Sequence, residues 1–153
     1  MNKKLITYIY VSAAIITICT GVFFSIDYFR KDETKLDGNW EVEFYTEKSS
    51  YQPYIGMSLT YKLYFIQKKD EFEAIGETWY VNGKELPFSR HRNLTIKGTI
   101  KKRIAKGSYI LVGELRESYG SINVNVSKDG LTFEGNFEGT AATTTGRING
   151  IKK

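Results

Sequence analysis

From residue 38 onward the chain alternates apolar and polar residues with a period of two, and nothing there carries the ~3.6-residue period of an amphipathic helix. Successive side chains of a strand point to opposite faces, so Trp40, Val42 and Phe44 share one face while Glu41 and Glu43 take the other. Leu59, Tyr61, Leu63 and Phe65 repeat the plan. Further strands are expected at 72–81, 85–88, 94–100, 109–116, 122–127, 131–137 and 146–151. Between 81 and 85, Asn82-Gly83 is a hairpin turn signal, because both residues tolerate positive φ; Gly120 and Asp129-Gly130 mark further turns. Short sequential hairpins without crossover helices predict an all-β fold, an antiparallel up-and-down barrel of about eight strands, with a two-sheet sandwich as the alternative. Glycines inside the strands (Gly76, Gly98, Gly113, Gly135) suit the sharp coiling that a small barrel requires. An aromatic content of 14 % and only two prolines agree with that class.

Ahead of this pattern, residues 5–26 contain no charge. As a helix they would reach ~33 Å, enough for a ~30 Å hydrocarbon core, so one N-terminal transmembrane helix is expected. The chain then divides into a basic tail (1–4), the membrane helix (5–26), a charged tether (27–37) and the barrel domain (38–153). A cleaved signal peptide is the rival reading, with the small residues Cys19, Thr20 and Gly21 near its end, but Val22, Phe23 and Phe24 prolong the apolar run. A single-pass protein of the cell membrane is expected, with the bilayer as a partner through 5–26 and homo-oligomer formation through that helix. Lys3 and Lys4 on one flank and Arg30, Lys31 and Lys35 on the other leave the side of the barrel open.

Net charge is +5, yet residues 32–153 hold 18 Lys plus Arg against 16 Asp plus Glu, so most of the excess flanks the hydrophobic segment. DNA and RNA are therefore not expected partners. Charge is nonetheless uneven within the domain, since residues 84–106 carry eight basic side chains and one acidic, Glu85. Ser89-Arg90-His91-Arg92 concentrates two arginine forks, suited to phosphate or carboxylate, beside a histidine that gains charge as pH falls. A solvated loop is the plainer reading of the same residues. Lys101, Lys102, Arg103 and Lys106 are read as a second basic turn, a solvated one or one that meets anionic lipid head groups.

Catalysis is poorly provided for. The domain has one histidine and no cysteine, its aspartates fall in the tether or at turns, and most glutamates alternate with apolar residues as an outer face would. No enzyme, metal site or cofactor is expected. The long segment 47–57, with Tyr51, Pro53, Tyr54, Ile55 and Met57, carries too much apolar surface to stand free and should fold over one barrel mouth as a plug or as a lid. Candidate ligand-binding residues are Arg90, His91, Arg92, Tyr51, Tyr54, Tyr61 and Trp79, with Tyr61, Trp79 and Tyr80 able to stack on a flat ligand, although strand aromatics serve more often as plain core.

Gly38-Asn39-Trp40 in the first strand, with Arg147 in the last, resembles the Gly-x-Trp opening and late arginine of lipocalin-like barrels. That resemblance implies a barrel in which Trp40 and Arg147 pack together at the closed end. The layout of a hydrophobic anchor before a minimal barrel, with Leu131-x-x-x-Gly135-x-Phe137 followed by Thr145-Gly146-Arg147-Ile148, is similar to the membrane-anchored barrel effectors of bacterial cyclic-oligonucleotide antiphage systems. Those effectors usually have two membrane segments, and here there is one. The likeness implies a barrel that senses a nucleotide second messenger and a helix that disrupts the membrane. Two functions follow as expectations: a non-catalytic ligand-binding or sensor module for a small, anionic, nucleotide-like ligand, or a structural barrel of the cell envelope, filled by its own side chains, with a protein partner.

Overall fold

The computed structural model describes residues 34–113 and 117–153. The expected membrane helix and most of the tether lie outside the described residues. Among those described, no helix is long and apolar enough to cross a membrane. Nine strands follow one another: β1 (Gly38–Lys48), β2 (Ser58–Lys68), β3 (Glu71–Val81), β4 (Lys84–Glu85), β5 (Asn93–Lys101), β6 (Ile104–Val112), β7 (Glu117–Val126), β8 (Thr132–Gly139) and β9 (Thr144–Lys152).

Every pairing is antiparallel, and apart from the two-residue β4, a spur on β3, each strand lies between its sequence neighbours. Pairing of β9 with β1 closes the sheet on itself. The result is a closed eight-stranded antiparallel barrel, consistent with a lipocalin-like barrel, and it leaves no long edge unpaired.

The alternation does what period two requires. Along β1 the inward residues Trp40, Val42, Phe44 and Thr46 are buried, while Glu41 and Glu43 face out. Several boundaries differ from the sequence expectation. β7 begins at Glu117 rather than 122, so Gly120, read as a turn, lies inside a strand and pairs with Tyr109 and Gly139. β6 ends at Val112, ahead of Gly113, and begins at Ile104 rather than 109, so Lys106 lies in a strand and not in a basic turn. Its inward positions there are Ala105 and Gly107, too small to register as an apolar face. The strand expected at 85–88 shrinks to Lys84–Glu85, because Pro87 has no N–H to give and the chain turns into a 3₁₀ turn at Phe88–Arg90.

The interior has two aromatic tiers. Trp40, Phe65, Phe72 and Phe133 fill one end, with ring centroids 5.1 to 6.2 Å apart. Leu36, 1 % exposed, stoppers that end, so the last tether residues belong to the fold. Trp40 Nε1–H donates to the Leu36 carbonyl at 2.7 Å, and the Leu36 N–H donates to the Gln67 side-chain oxygen at 2.8 Å. Nearer the other end Phe44 meets Phe137, Tyr61 and Tyr109 edge-on at 5.0, 5.3 and 5.6 Å. Glycine lets the wall coil this tightly: a Cβ on Gly146 would lie 2.0 Å from the Tyr45 carbonyl oxygen, and one on Gly135 2.1 Å from that of Asn123.

A candidate binding cavity at the open mouth

Inward residues change in size along the barrel. Tryptophan and phenylalanines occupy the closed end, whereas the mouth end presents Thr46, Thr144 and Ser118. The volume left over is a cavity of about 370 Å³. Its floor is the tier of Phe44, Tyr61, Tyr109 and Phe137, and Leu59, Leu94 and Leu111 line its sides. Among the described residues that line it, none is charged.

Burial gives the floor its hydrogen-bonding character. It pushes the Tyr61 phenol far above the ordinary 10, a shift moderated by a hydrogen bond shared with Thr78. It pushes Tyr109 up to about 12. Both stay neutral at any ordinary pH; Tyr109 brings one O–H and one acceptor oxygen to the otherwise apolar floor, while the Tyr61 hydroxyl is engaged with Thr78. Thr78 is fixed in turn, its Oγ1 donating to the Arg92 carbonyl at 3.3 Å.

The segment after β1 folds over this mouth, as its apolar content requires. It forms a 3₁₀ turn at Gln52–Tyr54, with Tyr54 and Met57 on the cavity rim. The Gly56 N–H donates to the Thr46 carbonyl and the Thr46 N–H to that of Met57, both at 2.9 Å. From the facing β8–β9 turn, the Ala142 carbonyl accepts from the Ser50 N–H (2.8 Å) and from the Ser49 and Ser50 hydroxyls (3.1 and 2.8 Å). Ala142 and Thr143, at φ 51° and 48°, hold left-handed conformations that cost a side-chain-bearing residue energy. Two segments remote in sequence are thus clasped across one side of the opening, with Ala141 at the cavity edge.

The candidate residues separate into groups. Tyr54 and Tyr61 line the cavity. Tyr51 stands at its outer rim, half exposed, with its ring edge-on to Tyr54 at 5.0 Å. Trp79 does not face the lumen. It follows the inward Thr78 and so points outward, and the β-bulge there, with Tyr61 paired to Thr78 and Thr60 to Tyr80, turns Tyr80 outward as well. There the Lys62 ammonium sits 3.4 Å from the Trp79 ring centroid and the His91 ring 4.8 Å away. His91 is tied down rather than aimed at solvent, its Nδ1 2.9 Å from Glu77 Oε2 and its Nε2 3.2 Å from the Leu86 carbonyl. Arg90 is exposed at the end of the 3₁₀ turn, and Arg92 Nη1 donates to the backbone carbonyls of His91 and Ser89. Both arginines stand on the β3–β5 connection at the mouth end, outside the cavity lining.

Trp40 and Arg147 are not brought together. Trp40 is 1 % exposed in the closed end, while Arg147 pairs with Tyr45 on the outer wall, donates Nε–H to Glu47 at 2.7 Å and lies over the Tyr45 ring. The parity of β9 turns Arg147 outward, and among the described residues it is Lys152 whose ammonium lies over the Trp40 ring, at 5.8 Å. Sequence reasoning missed Thr46, Ser118 and Thr144 as cavity residues. The signal was the run of small inward residues at one end of the strands only.

Comparison with known protein families, with curated proteins and with solved structures finds no match to this chain.

Proposed function

We propose that this barrel is a non-catalytic ligand-binding or sensor module that takes a small, flat, largely apolar group into its mouth, between the Phe44 tier and the Gln52–Tyr54 turn. One observation carries the reading: a cavity of about 370 Å³ with a neutral, aromatic, hydroxyl-bearing lining, in a barrel whose other end is solidly packed. Ligand sites of this kind combine apolar walls with a few placed polar groups. In the nucleotide version of the proposal, which the likeness to the antiphage effectors suggests, a base enters the cavity and the phosphates stay outside near Arg90 and Arg92. Base and tyrosine supply matching flat surfaces, and arginine forks supply charged hydrogen bonds. The test is a thermal-shift and calorimetric screen of cyclic dinucleotides, nucleosides and uncharged aromatic compounds. Leu111→Trp, which grows into the cavity, should cut affinity for any hit at least about tenfold. Unchanged affinity in that folded variant excludes the mouth as the site.

A second reading, an interaction barrel with a protein partner, is favoured by a different observation. Tyr64, Ile75, Thr95, Ile110 and Tyr119 are directly cross-paired on five adjacent strands, which makes a continuous outward row. Tyr64, Ile75, Ile110 and Tyr119 are 40 to 53 % exposed. Ile75→Glu with Ile110→Glu should abolish a protein contact there and leave small-ligand binding intact; a complex that survives both changes removes this reading.

A further inference from the structure

We infer that the closed end of the barrel is a docking face for an anionic lipid bilayer, gripping phosphate head groups with a ring of basic turns and dipping a few aliphatic side chains between them. The charges of the two ends differ. Turns and strand ends at the mouth hold four basic and four acidic side chains among the described residues, whereas the closed end holds nine basic ones against Asp37, Glu41, Asp70, Glu71, Asp129 and Glu134. Lys68 and Lys69 come from the β2–β3 turn, Lys101, Lys102 and Arg103 from the β5–β6 turn, and Lys128 from the β7–β8 turn. All six are exposed, and the ion pairs found among the described residues use none of them. Lys35, Lys152 and Lys153 lie at the same end, Lys153 paired with Glu41 at 3.3 Å and the Lys152 ammonium 3.5 Å from the Lys35 carbonyl.

Backbone geometry supplies an independent sign. Lys69 and Lys102 have φ of 56° and 57°, in tight turns where glycine or asparagine sits at least cost. At the mouth the comparable turn uses those residues, Asn82 and Gly83, at 51° and 72°. Strained residues that persist point to a role for their side chains, here the charge. The third sign is apolar. Ile104, Leu131 and Ile151 are 52 to 53 % exposed beside these lysines. A nucleic acid would use the charge but not the aliphatic groups, whereas a bilayer interface uses both. Finally, the chain enters the barrel at this end through Thr34 and Lys35, on the C-terminal side of the uncharged run 5–26.

The test uses the full chain on vesicles of phosphatidylcholine alone and of equal parts phosphatidylcholine and phosphatidylglycerol, with lysine acylation read by mass spectrometry. Each basic residue at an anionic surface gains enough to slow its labelling about fivefold, so Lys69, Lys101, Lys102 and Lys128 should be protected to that degree on the anionic vesicles only. Lys48 and Lys84 at the mouth serve as internal controls and should label equally on both. Lys101→Glu with Lys102→Glu should remove the protection of Lys69 and Lys128, whereas Lys48→Glu with Lys84→Glu should not. Equal labelling of the closed end on the two vesicles overturns the inference. Protection by an added RNA duplex but not by anionic vesicles does the same.

Discussion

Phe44 is the residue on which the two halves of the barrel meet, and its removal should be costly in a defined way. Its ring is 5 % exposed and touches Phe137, Tyr61 and Tyr109 edge-on at 5.0, 5.3 and 5.6 Å. Truncation of a buried phenylalanine to alanine costs about 3 to 5 kcal/mol. One face of this ring already borders the cavity and lacks packing partners, so Phe44→Ala should fall near the lower bound, about 3 kcal/mol. In a domain of about 120 residues that loss lowers the melting temperature by about 12 °C. Phe44→Leu, which keeps much of the volume, should lose less than half as much. The assay is thermal unfolding followed by near-ultraviolet circular dichroism. The enlarged cavity should also accept benzene, and at ten times its dissociation constant benzene should restore about 1.4 kcal/mol. A drop below about 4 °C, or no benzene effect on an otherwise folded variant, would refute the picture of Phe44 as the packed floor of a mouth cavity.

Other outcomes can be stated more briefly. Tyr109 has a folded pKa raised from 10.0 to about 12, and that of Tyr61 is raised further still. A raised pKa on a neutral acid means stability that is fully present below pH 10 and is lost as pH climbs from 10 through the folded value. The unfolding free energy from urea titrations should therefore fall by roughly 2 kcal/mol or more between pH 9 and pH 12, and Tyr61→Phe should flatten that slope. Ala142→Gly should raise stability by about 0.5 kcal/mol through relief of the left-handed backbone, where a loss above about 1 kcal/mol in chemical denaturation would contradict the strain. Gly146→Ala, whose Cβ would fall 2.0 Å from the Tyr45 carbonyl oxygen, should lose about 3 kcal/mol in the same assay, and a neutral result would mean that β1 and β9 do not approach as described. If a phosphorylated ligand binds as proposed, Arg90→Ala and Arg92→Ala should each weaken it by about 1.5 kcal/mol in calorimetry, and an unaffected double variant would leave the anion without its site.

The closed barrel was legible because its signal is local. Trp40, Val42 and Phe44 against Glu41 and Glu43 state the inward face within five residues, and Asn82-Gly83 states its turn in two, both at positive φ. Legibility failed wherever inward residues are small: Ala105 and Gly107 hid the first half of β6. It failed again at the end of β3, where alternation from the inward Phe72, Ala74 and Thr78 turns Trp79 outward and the one extra residue there reverses the parity of Tyr80, so both candidate stacking rings lie outside. The cavity was harder still. Whether a lumen is full depends on the sum of side-chain volumes across eight strands, and no single strand reveals that its Thr46 or Ser118 lies level with Thr144. Arg147 shows the limit of resemblance, since a motif can match while register places the residue on the opposite face.

Packing divides the barrel into a densely filled end and an end with space left over. The Trp40 tier is dense, stoppered by Leu36 and joined to the wall by buried hydrogen bonds, so it supplies the rigidity that a fixed binding geometry needs. The mouth instead depends on a few backbone and serine hydrogen bonds to the Ala142 carbonyl, over a void, with two residues in costly conformations. Local opening free energies are lowest where apolar contacts are few and strain is stored. A ligand that fills the void adds contacts only to the clasped arrangement, and can therefore shift the β1–β2 and β8–β9 segments by as much as its own differential affinity. The β9–β1 seam begins beside that clasp, with a bulge between Thr46 and Lys48, and runs down the barrel wall to Lys152, so the two ends share one hydrogen-bonded ladder.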